Sequence, residues 1–212
     1  VTRFEGNSIR ADGAENLAQF ALTLQRRAQA YAHPVVLPEA LRGLPRDHVI
    51  DAQDVDFRLA SGAVSAEDAK ASDGAAARMD AAVLSWSVQF RGIGTQVPTG
   101  TWHVYASIRC EKLKDTGVAF TAGIYDEAAK QNRVGLSVHL EDQGQGGNVD
   151  PNVETQNTVT PGKGAGDGEY HLYDFGLHDL HDQCYVWVGT TGGVDPKQVK
   201  AIYVDRVIFV KE

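Results

Sequence analysis

Cysteine, basic residues and long apolar runs are all scarce in this chain, and each scarcity narrows what it can be. Only two cysteines, Cys110 and Cys184, occur in 212 residues. Their separation is not that of a zinc site. It leaves open one disulfide in a secreted chain, or two buried thiols acting as small hydrophobes. Lys and Arg number 20 against 28 Asp and Glu, a formal net charge of −8. A phosphate binder needs clustered basic residues, so nucleic acid is not expected as a partner. Nor is a membrane, because no apolar run approaches the length of a span. G-x-S-x-G, H-E-x-x-H, a phosphate loop and EF-hand spacing are all missing, and there is no internal repeat. The chain opens on Val1 without an initiator Met or a leader, and is expected to be a fragment or a processed form.

What is present is a change of period. Between residues 12 and 31, Leu17, Phe20, Ala21, Leu24, Ala28 and Tyr31 recur at helical spacing. Asp12 with Glu15 resembles a capping box, and His33-Pro34 stops the helix. Pro34 to Pro45 reads as a linker. From His48 the period becomes two. HVIDAQDVDFRL predicts one or two short strands. VLSWSVQF (83–90) places Leu84, Trp86, Val88 and Phe90 on one face. TWHVYASIRC (101–110), VAFTAGIY (118–125), RVGLSVHL (133–140), EYHLYDFGL (169–177) and CYVWVGT (184–190) alternate in the same way. Trp86, Trp102, Val104, Phe120, Ile124 and Leu136 are the expected core. Residues 141 to 168 are rich in Gly, Asn, Gln and Asp and predict a long loop. The fold class is therefore all-β, a jelly roll or β-sandwich over 46–212 with an N-terminal helical extension over 1–45.

The closing strand VKAIYVDRVIFV (199–210) contains an anomaly. Strict alternation puts Ile202, Val204, Ile208 and Val210 on one face, with Asp205 opposite among Tyr203, Val207 and Phe209. Arg206 then points away from Asp205. A carboxylate in such company needs a partner from elsewhere in the chain, a metal ion, or a wet sheet edge. Asp51, Gln53 and Asp73 are oxygen donors of the kind a hard cation takes. They would meet Asp205 if the first strand pairs beside the last.

A second candidate is a polar and aromatic face made of His103, Tyr105, Arg109, Tyr125, His139, Tyr185 and Trp187. Aromatic rings can stack on sugars, while Arg and His can orient hydroxyls or uronate carboxylates. The same residues could instead be spread over two sheets. A lyase would use Arg against a uronate and His or Tyr as proton carrier, and a glycosidase would use paired carboxylates. Neither has a recognisable frame here.

VIDAQDVDFRL, KASDGAAARM, TGTWHVYASIRC and IYVDRVIF together resemble the galactose-binding-like β-sandwich modules, including carbohydrate-binding modules of families six and thirty-five. The wording is most similar to C-terminal modules of large bacterial glycoside hydrolases, over roughly Val49 to Val210. The resemblance implies a structural Ca2+ held by Asp51, Gln53, the turn at Asp73, and Asp205. It also implies a sugar site, either on edge loops or on a concave sheet face. The function expected from it is a noncatalytic carbohydrate-binding accessory module of a secreted or periplasmic polysaccharide-degrading enzyme. Its partners would be a poly- or oligosaccharide and a preceding catalytic domain. The alternatives are a lyase or hydrolase acting on the concave face, and a purely structural module.

Overall fold

The computed structural model describes residues 11–32, 36–141, 158–159 and 165–212. The chain divides into two units, Val1–Val35 and Val36–Glu212. In the first unit, helix α1 spans Ala11–Ala30, which places Asp12 inside the helix. Phe20 (60%), Leu24 and Tyr31 are exposed, and so is Leu17 at the margin. The predicted stop at His33-Pro34 lies outside the described residues.

In the second unit the expected linker residues 36–45 are counted with the sandwich: Leu41 is buried, and Arg206 donates to the carbonyl of Val36. Twelve strands follow. They are β1 (Val49–Gln53), β2 (Arg58–Leu59), β3 (Ala63–Glu67), β4 (Ala75–Asp80), β5 (Val88–Phe90) and β6 (Gly100–Lys112). Then come β7 (Val118–Asp126), β8 (Gln131–His139), β9 (Thr158–Val159), β10 (His171–Leu180), β11 (Cys184–Gly189) and β12 (Val199–Lys211). A seven-stranded antiparallel sheet runs β3-β4-β12-β6-β10-β9, with β1 also paired to β12. A five-stranded sheet runs β2-β5-β11-β7-β8. The expected long loop lies mostly outside the described residues; within it, Thr158–Val159 forms β9.

The two sheets share one apolar core. It draws Trp102, Val104, Ala106 and Ile108 from β6, Phe120, Ala122 and Ile124 from β7, and Leu136 from β8, as alternation predicts. Cys110 and Cys184 are both buried and free, and burial pushes the Cys110 thiol up to about 12, so it packs as a hydrophobe.

Two expectations fail for local reasons. Trp86 is 54% exposed. Residues 83–87 are not strand, because Thr190 captures them: Ser85 N–H donates to Thr190 Oγ1 at 3.0 Å, and Thr190 N–H donates to Ser85 O at 2.9 Å. The face assignment of β12 fails at Asp205. Against β6 the register shifts between Val204 and Arg206, with Val204 opposite Ile108 and Arg206 opposite Ser107. Asp205 is the extra residue of a bulge. The parity therefore flips, and the core receives Ile202 and Val204, then Val207 and Phe209. Asp205 and Arg206 come within ion-pair reach of each other, rather than pointing to opposite faces.

Candidate functional site: an aromatic cleft on the five-stranded sheet

The core of the five-stranded sheet takes Val186 and Val188 of β11, so Tyr185 and Trp187 point outward. Registry then decides what they meet. Trp187 sits opposite Gly123 of β7, and Gly123 sits opposite Gly135 of β8. The indole crosses this gap and its Nε1 donates to Asn132 Oδ1 at 3.0 Å. A Cβ at Gly123 would lie 2.3 Å from the Val134 carbonyl and 3.1 Å from the indole. Gly189 likewise makes room for the segment carrying Trp86, where a Cβ would meet Ser85 O at 2.7 Å.

These residues line a cleft of about 420 Å³ together with Thr121, Tyr125, Thr191 and Gly192. Trp86 and Trp187 meet edge to face at 6.3 Å, and Tyr125 and Tyr185 lie 5.5 Å apart. Thr121 is fixed by donating to the Thr191 carbonyl at 2.9 Å. Behind Tyr185, Arg91 lies 3.9 Å over the ring and is neutralised by Glu127 at 2.7 Å. Burial raises the Tyr185 phenol; Arg91 lowers it, but Glu127 and Tyr125 add to the rise.

Tyr125, Tyr185 and Trp187 are thus the members of the expected ligand set that come together. His139 stands at the end of β8, exposed and 3.7 Å from Glu141, and does not line the cleft. His103, Tyr105 and Arg109 belong to the other sheet, where His103 and Arg109 are held by carboxylates. His103 Nε2 lies 2.6 Å from Asp174, and its ring stacks on Tyr105 at 4.6 Å. Arg109 donates to Asp68 at 2.7 Å and lies 3.6 Å over Tyr203. Tyr170 also donates to Asp68 at 2.6 Å. The sequence reading missed Trp86, Asn132, Thr121 and Thr191. Alternation marks what points outward; it does not say which sheet a strand joins.

The expected calcium donors are brought into one neighbourhood. Gln53 pairs with Arg206 and Asp51 with Ile208. Ser72 Oγ lies 2.8 Å from Asp205 Oδ1 and 3.3 Å from Gln53 Oε1. The charge of Asp73 is felt by both Asp51 and Asp205. A guanidinium already occupies the middle: Arg206 Nη1 donates to Asp51 Oδ2 at 3.0 Å, and its Nε lies 3.4 Å from Asp205 Oδ2. That last distance is an ionic contact rather than a hydrogen bond. A calcium ion takes six to eight oxygens, and one of the expected donors, Asp51 Oδ2, is here taken by the guanidinium.

Elsewhere, Asp126, His181 and Cys184 place three donor atoms within 4.8 Å of one another. Here too a guanidinium intervenes, with Arg133 donating to Asp126 Oδ2 at 2.9 and 3.0 Å. His181 Nε2 lies 3.0 Å from the same oxygen, while its Nδ1 accepts from Gln183 N–H at 3.3 Å. Burial pushes the Asp126 carboxyl up, but Ala129 N–H, His181 and Arg133 outweigh it and hold it at about 2.

No family model matches this chain, and neither does any curated protein. Among solved structures it is similar to the CBM22-1–GH10 modules of Clostridium thermocellum endo-1,4-beta-D-xylanase 10B complexed with xylohexaose. The match has 8% identity and a TM-score of 0.43, and covers 76% of this chain but 27% of that one. It bears on no residue of the cleft. None of the described helices is long and apolar enough to cross a membrane.

Proposed function

We propose that this chain is a noncatalytic carbohydrate-binding module that takes a neutral glycan in the Trp86–Trp187 cleft. The observation that carries the reading is the lining itself. Four aromatic rings, two Thr hydroxyls and the Asn132 amide converge there, and Trp86 is open to solvent. Ring faces favour the apolar C–H faces of sugars, while amide and hydroxyl groups pair with sugar hydroxyls. Among the described residues the lining contains no Asp, Glu, His, Lys or Arg. A uronate would therefore lose its hydration without gaining a cation, which is unfavourable. Arg91, which lies over the Tyr185 ring, is matched by Glu127.

The same lining favours binding over catalysis. A glycosidase needs two carboxylates across the scissile bond. A lyase needs a group to neutralise the uronate and a base, and the Tyr185 phenol is shifted away from serving as one. Cleavage of the glycan would fall to a separate catalytic domain of the parent chain, in a secreted bacterial polysaccharide-degrading enzyme.

A glycan array, followed by affinity electrophoresis of residues 36–212 together with the full chain, tests this. Retardation by neutral β-glucan, xylan or mannan is expected, with none by polygalacturonate or alginate. Failure to bind any glycan contradicts the carbohydrate reading. Retardation by polyuronates alone contradicts its neutral-ligand part. Release of reducing ends or unsaturated products makes the chain an enzyme.

A further inference from the structure

We propose that Arg206 is a built-in structural cation that joins β1 to β12, in the position where the sequence resemblance assigns a calcium ion. The fold creates the site at the point of β12 where its partner on one side changes. The C-terminal half of β12 pairs with β1 as far as Gln53 opposite Arg206. Its N-terminal half pairs with β4 as far as Val204 opposite Ala77. Asp205 falls in the gap between these two partners, and the bulge there sets its carboxylate beside the guanidinium of the next residue. The turn at Ser72 fills the gap. Ser72 N–H donates to Asp205 Oδ1 at 3.0 Å, and Ser72 Oγ lies 2.8 Å from the same atom. Ser107 Oγ lies 3.3 Å from Asp205 Oδ2.

The three sides of the guanidinium reach three segments of chain. Nη1 donates to Asp51 on β1 at 3.0 Å, and Nη2 donates to the Val36 carbonyl at 3.0 Å. Nε faces Asp205 on β12 at 3.4 Å. The side chains are nearly dry, with 8% of Arg206, 5% of Asp51 and 3% of Asp205 exposed. Buried charges in such a place must be paired, and a planar fork of donors suits several acceptors at fixed angles better than a point charge does. A calcium ion takes six to eight oxygens, and Asp51 Oδ2, one of those expected to hold it, already accepts from the guanidinium. The charge of Asp73 reaches both Asp51 and Asp205, and burial raises the Asp51 carboxyl to about 6 and the Asp205 carboxyl in the same direction. Removing Arg206 would therefore leave a nest of carboxylates that a divalent ion could enter.

Thermal melts in millimolar calcium and in chelator, with metal content by emission spectroscopy, test this on the full chain. The native protein should hold no stoichiometric calcium, and its melting temperature should be the same in both buffers. Arg206→Gln should melt roughly 10 °C lower in chelator and recover part of that loss in calcium. Asp51→Asn, a milder change, keeps the fold available if Arg206→Gln does not accumulate, and should likewise stay indifferent to calcium. A calcium-dependent rise in the melt of the native protein, or one bound calcium per chain, overturns the proposal. So does an Arg206→Gln protein that melts like the native one in chelator. Glycan binding plays no part in these readouts, so they stand or fall apart from the function proposed above.

Discussion

The outward faces of the two sheets carry similar side chains and differ in what those side chains are doing. On the seven-stranded sheet, Arg109 is held by Asp68 and covered by Tyr203, His103 is held by Asp174, and Arg206 is held by Asp51 and Asp205. On the five-stranded sheet, Trp86, Tyr125 and Trp187 surround a cleft with no charged residue among the described residues of its lining. Polar and aromatic residues on a sheet face become a binding site only where their capacity is left for a ligand. Where it is spent on neighbours, the same residues hold strands and loops in place.

Substitutions on the two faces should therefore separate stability from binding. The largest effect is expected from Arg109→Met, which strands the buried Asp68 carboxylate. It should cost about 3 kcal/mol of stability, seen as a lower midpoint in denaturant melts, while glycan affinity at a temperature where the variant is folded stays unchanged. Trp86→Ala should do the reverse. It should lose about 2 kcal/mol of glycan binding by calorimetric titration, with little change in the melt, because the ring is 54% exposed. Gly123→Ala should act on both, because its Cβ would lie 2.3 Å from the Val134 carbonyl and 3.1 Å from the indole: a lower midpoint in denaturant melts together with weaker binding is expected, and a variant equal to the native protein in both would show that neither close approach is critical.

A further effect concerns acid. Asp126 is held at about 2 in the fold against an ordinary 3.8. A depressed carboxyl gives stability that is present above its unfolded pKa and is lost as pH falls toward the folded one. The melting temperature should thus decline between about pH 4 and pH 2, and Asp126→Asn should flatten that decline. An unchanged slope would mean that Arg133 and His181 do not hold this carboxylate in solution.

Much of this architecture is legible in the chain. Alternation in TWHVYASIRC, VAFTAGIY and RVGLSVHL gives the buried rows correctly, since burial on one face imposes period two. Three things are not legible in it. A bulge adds one residue without any mark in the composition, so every residue of β12 after Asp205 changes face, and Arg206 becomes the neighbour of Asp205. VLSWSVQF keeps its alternation although its first half is pulled out of the sheet by Thr190, which is more than a hundred residues away. That places Trp86 at the cleft instead of in the core. Finally, alternation cannot allot strands to sheets. His103, Tyr105 and Arg109 consequently share a pattern with Tyr125, Tyr185 and Trp187 without sharing a surface.

The three tryptophans make one measurement decisive for the cleft. Trp102 is buried in the core, with its Nε1 donating to the Pro98 carbonyl at 2.8 Å, whereas Trp86 is exposed and Trp187, itself buried, lines the cleft. Each indole N–H gives its own signal in a nitrogen–proton correlation spectrum. Titration with the neutral oligosaccharide retained best on the array should move the Trp86 and Trp187 signals and leave that of Trp102 in place. Movement confined to the backbone around His103, Tyr105 and Arg109, with the Trp86 and Trp187 signals still, would put the ligand on the other sheet and contradict the account.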